Sequence, residues 1–151
     1  MRRSLLALAG SLGASAAAAA VGGLGSRRAP EVYDKLDKPS WAPPSWVFAP
    51  VWTLLYADMG VAAWRLWRTG AARTPLAIHG AQLLLNAAWP AAFFGARSRR
   101  ASLGVIVGLD LAVGAEIVTA TRHDRLAAAL LGPYLIWTLY ATALNASVRW
   151  P

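Results

Sequence analysis

Apolar residues run along this chain in five long blocks separated by short polar ones, and each block is about the length of a membrane-spanning helix. From Ser4 to Leu24 no charge interrupts the run. At about 1.5 Å per residue it crosses a hydrocarbon layer about 30 Å thick. Arg2 and Arg3 ahead of an alanine-rich run also fit a secretory leader with small-residue cleavage sites. Against that, Gly10, Ala14, Ala18 and Gly22 recur every fourth residue, a ridge on which a second helix can settle closely and which a discarded leader does not need. The blocks predict helices over about 4–24, 45–67, 75–94, 101–121 and 126–148.

Between the first two blocks, 25–46 forms the longest polar connection, with Arg27, Arg28, Glu31, Asp34, Lys35, Asp37 and Lys38. It runs into a stretch from Pro39 to Tyr56 that is dense in proline and aromatic residues. Pro43 and Pro44 keep the chain extended, because proline lacks an N–H and pushes its predecessor out of the α region. Pro50 falls early enough to be tolerated in a first helical turn. A helix from about Ser45 then stacks Phe48, Trp52 and Tyr56 at i, i+4 and i+8 on one face.

The third block carries a second stripe. His79, Gln82, Asn86, Trp89 and Phe93 follow helical spacing, and polar groups in hydrocarbon need partners, so this face is expected to meet protein or a cavity. Pro90 is expected to disturb the last turn. In the fourth block Gly104 and Gly108 make a close-packing pair, while Asp110 and Glu116 point about 120° apart and form no carboxylate pair. Asp58 is the internal charge of the second block, and pairing with His79 or an end arginine is its expected fate. In the fifth, Trp137, Ala141, Leu144 and Val148 mark one face.

Composition agrees with the pattern. The chain has 151 residues, enough for a single domain over 1–151, and is 57% hydrophobic but only 15% charged, against about a quarter charged in soluble domains. The net charge of +8 lies in clusters between apolar runs, where it faces anionic lipid headgroups rather than nucleic acid. Lysine and arginine divide almost evenly between the two sides, which leaves the orientation open. Arg65 and Arg68 can snorkel to headgroups. Trp41, Trp46, Trp64, Trp67 and Trp150 lie near helix ends, where tryptophan anchors a helix at the interface.

Conventional chemistry has no residues to run on: there is no cysteine, no paired acids, and no nucleophile with a base. His79 and His123 have no clustered ligands, so no metal site is expected and no cofactor is required. If the three stripes converge, they line a mostly apolar slot with a few donors. A flat macrocycle with propionate edges would stack on its aromatic walls, with donors from Trp52, Trp137 and Asn86 and cations from Arg27, Arg28, Lys35 or Lys38 at the rim. The blander alternative is that Gln82 and Asn86 only join helices, at about 0.6–2 kcal/mol each.

Three segments carry a resemblance: Pro39 to Tyr56 followed by Met59-Gly60, Gln82 to Gly95, and Pro133-Tyr134-Leu-Ile-Trp137 with Leu144-Asn145. Together they resemble the TspO/MBR family of tryptophan-rich sensory and translocator proteins. The resemblance implies an all-α integral membrane protein, a five-transmembrane-helix bundle that is often a homodimer and sits in the cell membrane in bacteria. It implies a pocket under the first long loop that binds a tetrapyrrole such as protoporphyrin IX or another apolar small molecule, for use as receptor, sensor or carrier. The matching pocket positions are Phe48, Ala49, Trp52, Asn86, Trp89, Trp137, Ala141 and Leu144, to which the stripes add Tyr56 and Gln82. Trp52 and Trp137 also match two tryptophans proposed to assist light- and oxygen-dependent porphyrin degradation. A stress-regulated scaffold is a further alternative. Ala146 stands where sterol-binding members carry tyrosine, so a sterol ligand is not expected.

Overall fold

Helix dominates the chain from end to end. The computed structural model describes residues 2–27, 29–70 and 72–149; Arg28 and Trp150, named above as a rim cation and an anchor, lie outside them. The elements are α1 (Arg2–Gly25), α2 (Ala29–Lys35), α3 (Phe48–Arg68) entered through a 3₁₀ turn at Ser45–Val47, α4 (Arg73–Pro90), a π turn at Ala91–Gly95, α5 (Arg99–Ala120), α6 (Arg125–Leu130) and α7 (Gly132–Ser147). No strand occurs among the described residues. Among the described residues four stretches are long and apolar enough to cross a membrane: Arg2–Gly25, Ser45–Arg68, Arg99–Ala120 and Arg125–Ser147, the last made of α6 and α7 together. Arg73, His79, Gln82 and Asn86 dilute the hydropathy of α4.

The helices close into a ring. α1 packs on α3 and α4, α4 on α5, α5 on α7, and α6 and α7 return to α3. Leu55, Met59 and Leu66 of α3, Leu109 and Val113 of α5, and Leu131 and Tyr134 meet in the core. Lipid tails are as apolar as leucine, so such contacts hold helices together by close packing and hydrogen bonds more than by escape from water.

Two prolines reshape the helices near which they fall. Pro90 is accommodated within α4, but the backbone widens after it, with Ala96 N–H donating to Ala91 O at 2.8 Å; π turns of this kind concentrate at functional sites. Gly132 and Pro133 divide the predicted fifth helix into α6 and α7, because Pro133 supplies no N–H and its ring crowds the preceding turn.

Several expectations are corrected. The polar connection contains α2, with Pro30 in its first turn, Glu31 near its N-terminus and Lys35 in its last turn, each placed to suit a helix. On α1 the buried line is Ser15, Ala18 and Gly22, whereas Gly10 and Ala14 are exposed, so the contact face is rotated from the predicted ridge. Of the ridge, Gly22 does meet α4, at Pro90 and Ala87, while the tightest approach is at Gly60 of α3, which receives Leu12. Gly104 has open space beside it, and Gly108 meets only Leu85 Cδ1, at 3.9 Å from where a Cβ would stand.

Among the charges, Arg65 does not snorkel: it pairs with Asp124 at 2.9 Å. Asp124 in turn caps α6, accepting from the Leu126 and Ala127 N–H groups at 2.9 and 3.0 Å. Partial burial pushes the Asp124 carboxyl up, yet these N–H donors and Arg65 outweigh it and hold the group below its ordinary value. His79 pairs with Glu116, not with Asp58. Trp64 is no simple anchor, since its Nε1 donates to Ser4 O at 3.0 Å and ties α3 to the start of α1. Trp46 and Trp67 are exposed, as an interfacial anchor requires.

Candidate functional site

The aromatic face of α3 turns inward. Pro44 holds the entry extended, with φ −61° and ψ 149°, and Pro50 sits in the first turn of α3, where its missing donor costs little. Phe48, Ala49, Trp52 and Tyr56 thereby share the wall of a cavity of about 770 Å³. Opposite them stand Asn86 and Trp89 of α4, with Trp137, Ala141 and Leu144 of α7. Of the ten residues expected at the site, nine line this cavity. Gln82 does not: it is fully buried one turn deeper on α4.

Rings form a near-continuous lining. Phe48 meets Trp137 edge-on at 5.8 Å, Trp52 lies 5.5 Å from Tyr56, and Trp89 stacks on Phe93 at 5.0 Å. The π turn brings Phe93 and Phe94 together below the lid, where an unbroken α-helix would have rotated them away.

Few polar atoms interrupt this surface. Trp89 Nε1 is committed, donating to Asn145 Oδ1 at 3.0 Å, and Asn145 Nδ2 donates to Ser102 Oγ at 3.1 Å. Trp137 Nε1 and Ser15 Oγ are buried without a hydrogen-bond partner among the described residues, an arrangement costing about 1–3 kcal/mol per group unless something else supplies the partner. Among the described residues no lysine or arginine lines the cavity. Lys38, expected as a rim cation, is held in the loop, donating to Tyr33 O at 2.6 Å and lying 4.7 Å above the Tyr33 ring.

Loop 25–46 roofs the cavity. Tyr33 of α2 is buried, packs edge-on against Phe48 at 5.1 Å, and donates its hydroxyl to Pro43 O at 2.8 Å. Burial, with smaller contributions from Tyr140 and Asp34, pushes its phenol up to about 12, so the hydroxyl keeps its proton at any physiological pH. Two further ties hold the roof: Tyr140 donates to Trp41 O at 3.0 Å, and Asp37 and Arg149 exchange backbone hydrogen bonds at 3.1 and 3.3 Å.

Beneath the cavity the polar stripe of α4 becomes a chain of hydrogen bonds. Tyr56 donates to Asn86 Oδ1 at 2.5 Å, Asn86 Nδ2 donates to Tyr134 Oη at 2.8 Å, and Tyr134 donates to Gln82 Oε1 at 2.9 Å. Gln82 Nε2 lies 3.3 Å from His79 Nδ1, which is 2.8 Å from Glu116 Oε1. Gln82 and Asn86 therefore do join helices, and Asn86 also faces the cavity.

Sequence reasoning missed three parts of the site. Tyr134 was legible, standing at i, i+3, i+7 and i+10 with Trp137, Ala141 and Leu144. Tyr33 stands in the polar connection, where no spacing shared with the stripes marks it as part of the site. The α1 wall, with Leu12, Ser15, Ala16 and Ala19, left only the weak signal of small residues.

Comparison with known proteins places the sequence among named relatives. A sequence model of the TspO/MBR family matches residues 10–151. The chain is 42% identical over 121 residues to the translocator protein of Homo sapiens, covering 77% of this chain and 72% of that one. It is 36% identical over 156 residues to the tryptophan-rich protein TspO of Chlorobaculum tepidum, covering 98% and 97%. Similarity to the tryptophan-rich sensory protein of Cereibacter sphaeroides is 41% over 115 residues, covering 76% and 73%.

Proposed function

The chain belongs to the TspO/MBR family of multi-pass integral membrane proteins, and from that premise we propose that it binds a tetrapyrrole of the protoporphyrin IX kind and acts as its receptor, sensor or carrier. The observation that carries this reading is the roofed, aromatic cavity of about 770 Å³ between α1, α3, α4 and α7, in the size range of small-molecule sites. A flat macrocycle stacks on Phe48, Trp52, Trp89 and Trp137. The layout that goes with this function is five spans, with α4 as the fifth, its polar stripe turned to the cavity and the core. The described lining is mostly apolar, so propionate edges belong at the mouth, where α2 and the loop meet water.

Tryptophan emission tests the reading. Protoporphyrin IX is expected to quench it saturably in the detergent-solubilised protein, with affinity at least about tenfold weaker, or about 1.4 kcal/mol, in a Trp52→Phe, Trp137→Phe double variant. Quenching that never saturates, or that is unchanged in the variant, counts against this cavity.

One observation favours a second reading, light- and oxygen-dependent porphyrin breakdown. Trp52 touches Tyr56 and Tyr134, and Trp137 lies 5.6 Å from Tyr140, so each indole has a tyrosine able to re-reduce it. Loss of porphyrin absorbance under illumination that slows in the double variant separates this from simple binding.

A further inference from the structure

The chain of hydrogen bonds under the cavity has one direction. Each donor points inward: Tyr56 to Asn86, Asn86 to Tyr134, Tyr134 to Gln82, and Gln82 onward to His79 Nδ1 and to Met59 Sδ, 3.6 Å away. With its proton given to Asn86, Tyr56 offers the cavity only lone pairs. The two amides and two hydroxyls between Tyr56 and His79 are all both donors and acceptors. If both amides flip, every contact from Tyr56 to Gln82 survives with donor and acceptor exchanged, and the Gln82 N–H contact with Met59 Sδ is lost. Tyr134 then donates to Asn86, Asn86 donates to Tyr56, and the Tyr56 O–H is freed toward the cavity.

What selects the direction is the far end. His79 Nδ1 accepts from Gln82 only while it carries no proton of its own, as in a pair where Glu116 holds the shared proton. When Nδ1 is protonated and donates to Glu116 Oε1, the Gln82 N–H facing it has no acceptor, and the flipped amide, with its oxygen toward Nδ1–H, becomes the favoured one. The Met59 sulfur biases the resting state inward, since it accepts from an N–H and repels a carbonyl oxygen. We propose that His79 and Glu116, neither of which touches the cavity, are positioning residues. The first state holds two protons, on Glu116 and on Nε2, and the second holds one, on Nδ1 beside the Glu116 carboxylate; release of the one proton by which they differ to solvent decides whether Tyr56 presents an acceptor or a donor to the ligand.

The pair is isolated enough for one proton to matter. His79 is 5% exposed and Glu116 0%, and His79 Nε2 and Glu116 Oε2 have no hydrogen-bond partner among the described residues. The titratable groups around it are few. Tyr134 of α7 and Tyr56 of α3 belong to the chain, Asp58 of α3 is half-buried next to Met59, and Asp110, the other acid of α5, accepts from Thr142 at 2.6 Å. At the α6 end, Asp124 is held by Arg65 at 2.9 Å and Arg125 is exposed, while the arginines of α1, Arg2 and Arg3, are exposed at its start.

As a statement about ligand choice, the inference rests on the cavity being the ligand site, so its test has one arm with a ligand and one without. Without ligand, infrared difference spectra of the full-length protein in micelles, taken between acidic and alkaline buffer, are expected to contain a carboxyl band and a tyrosine C–O band that move together. Both changes disappear in Glu116→Gln, and the tyrosine change alone in Tyr56→Phe. With protoporphyrin IX as the probe, wild-type affinity is expected to vary with pH by about fivefold more, one hydrogen bond's worth, than in His79→Asn, Glu116→Gln or Tyr56→Phe. The porphyrin's own carboxylates titrate equally in all four. Protoporphyrin binding with no coupled band pair, or with parallel pH profiles in wild type and variants, overturns the inference and leaves the proposed function standing. Coupled bands with no protoporphyrin binding support the switch and overturn the proposed ligand.

Discussion

Leu12 of α1 lies against Gly60 of α3 so closely that a Cβ at Gly60 would stand 2.6 Å from Leu12 Cδ2 and 3.1 Å from Leu12 Cα. The first contact could be relieved by a side-chain rotation. The second, to backbone, requires the helices to separate. Gly60→Ala is therefore expected to destabilise the protein by about 1–3 kcal/mol and, because α1 forms one wall of the cavity, to weaken ligand binding as well. Gly10→Ala, with nothing within 4 Å of the new methyl, serves as the control and is expected to stabilise by about 0.4–1 kcal/mol. Thermal unfolding in micelles checks both.

Tyr134 occupies the middle of the buried chain, accepting from Asn86 and donating to Gln82. Tyr134→Phe leaves two buried partners unmatched at about 1–3 kcal/mol each. Tyr56→Phe leaves only Asn86 Oδ1, beside a cavity that water can enter. The midpoint of thermal unfolding is expected to fall further for Tyr134→Phe than for Tyr56→Phe, and the reverse order would mean that the chain is not continuous.

Asp124 both caps α6 and pairs with Arg65. Asp124→Ala is expected to cost about 1–2 kcal/mol through loss of the cap, and Asp124→Asn less, because asparagine caps nearly as well. The folded carboxyl titrates below its ordinary value of 3.8. Its charge therefore stabilises the fold above the unfolded value, and that contribution is lost as the pH falls through the lower folded value. The stability gap between wild type and Asp124→Asn should close in that acidic window, and a gap that persists there would exclude the ion pair as its source.

Tyr33 latches the roof through its bond to Pro43 O and its edge contact with Phe48. Tyr33→Phe removes the bond alone, worth about 1 kcal/mol, and should speed release of bound protoporphyrin IX by about fivefold. Tyr33→Ala also removes the ring and should speed it further. Stopped-flow fluorescence measures both rates, and equal release from all three proteins would mean that the ligand leaves by a route other than the roof.

Much of this molecule is written in local pattern. Run length predicts the long helices, because a span must satisfy its own backbone and cover a fixed thickness of hydrocarbon. Helical spacing predicts that Phe48, Trp52 and Tyr56 share a face, that the α4 stripe avoids lipid, and that Asp110 and Glu116 diverge. The breaks at Pro90 and Pro133 were less legible: proline marks the place, while the surrounding contacts choose between a kink, a π turn and a short interruption.

Partners belong to the tertiary structure. No spacing rule brings His79 to Glu116, Arg65 to Asp124 or Trp64 to Ser4, since each pair joins different helices whose mutual rotation and register are set by packing along their whole lengths. For the same reason the composition of α1 marks it as small-faced without saying which small face is used, and Leu12 against Gly60 settles that. Sequence alone determined the inward side of α3, α4 and α7, whose polar and aromatic residues repeat at helical spacing. Only the assembled bundle decided which of them meet, because close contact between helices in lipid depends on shapes that lie far apart in the chain.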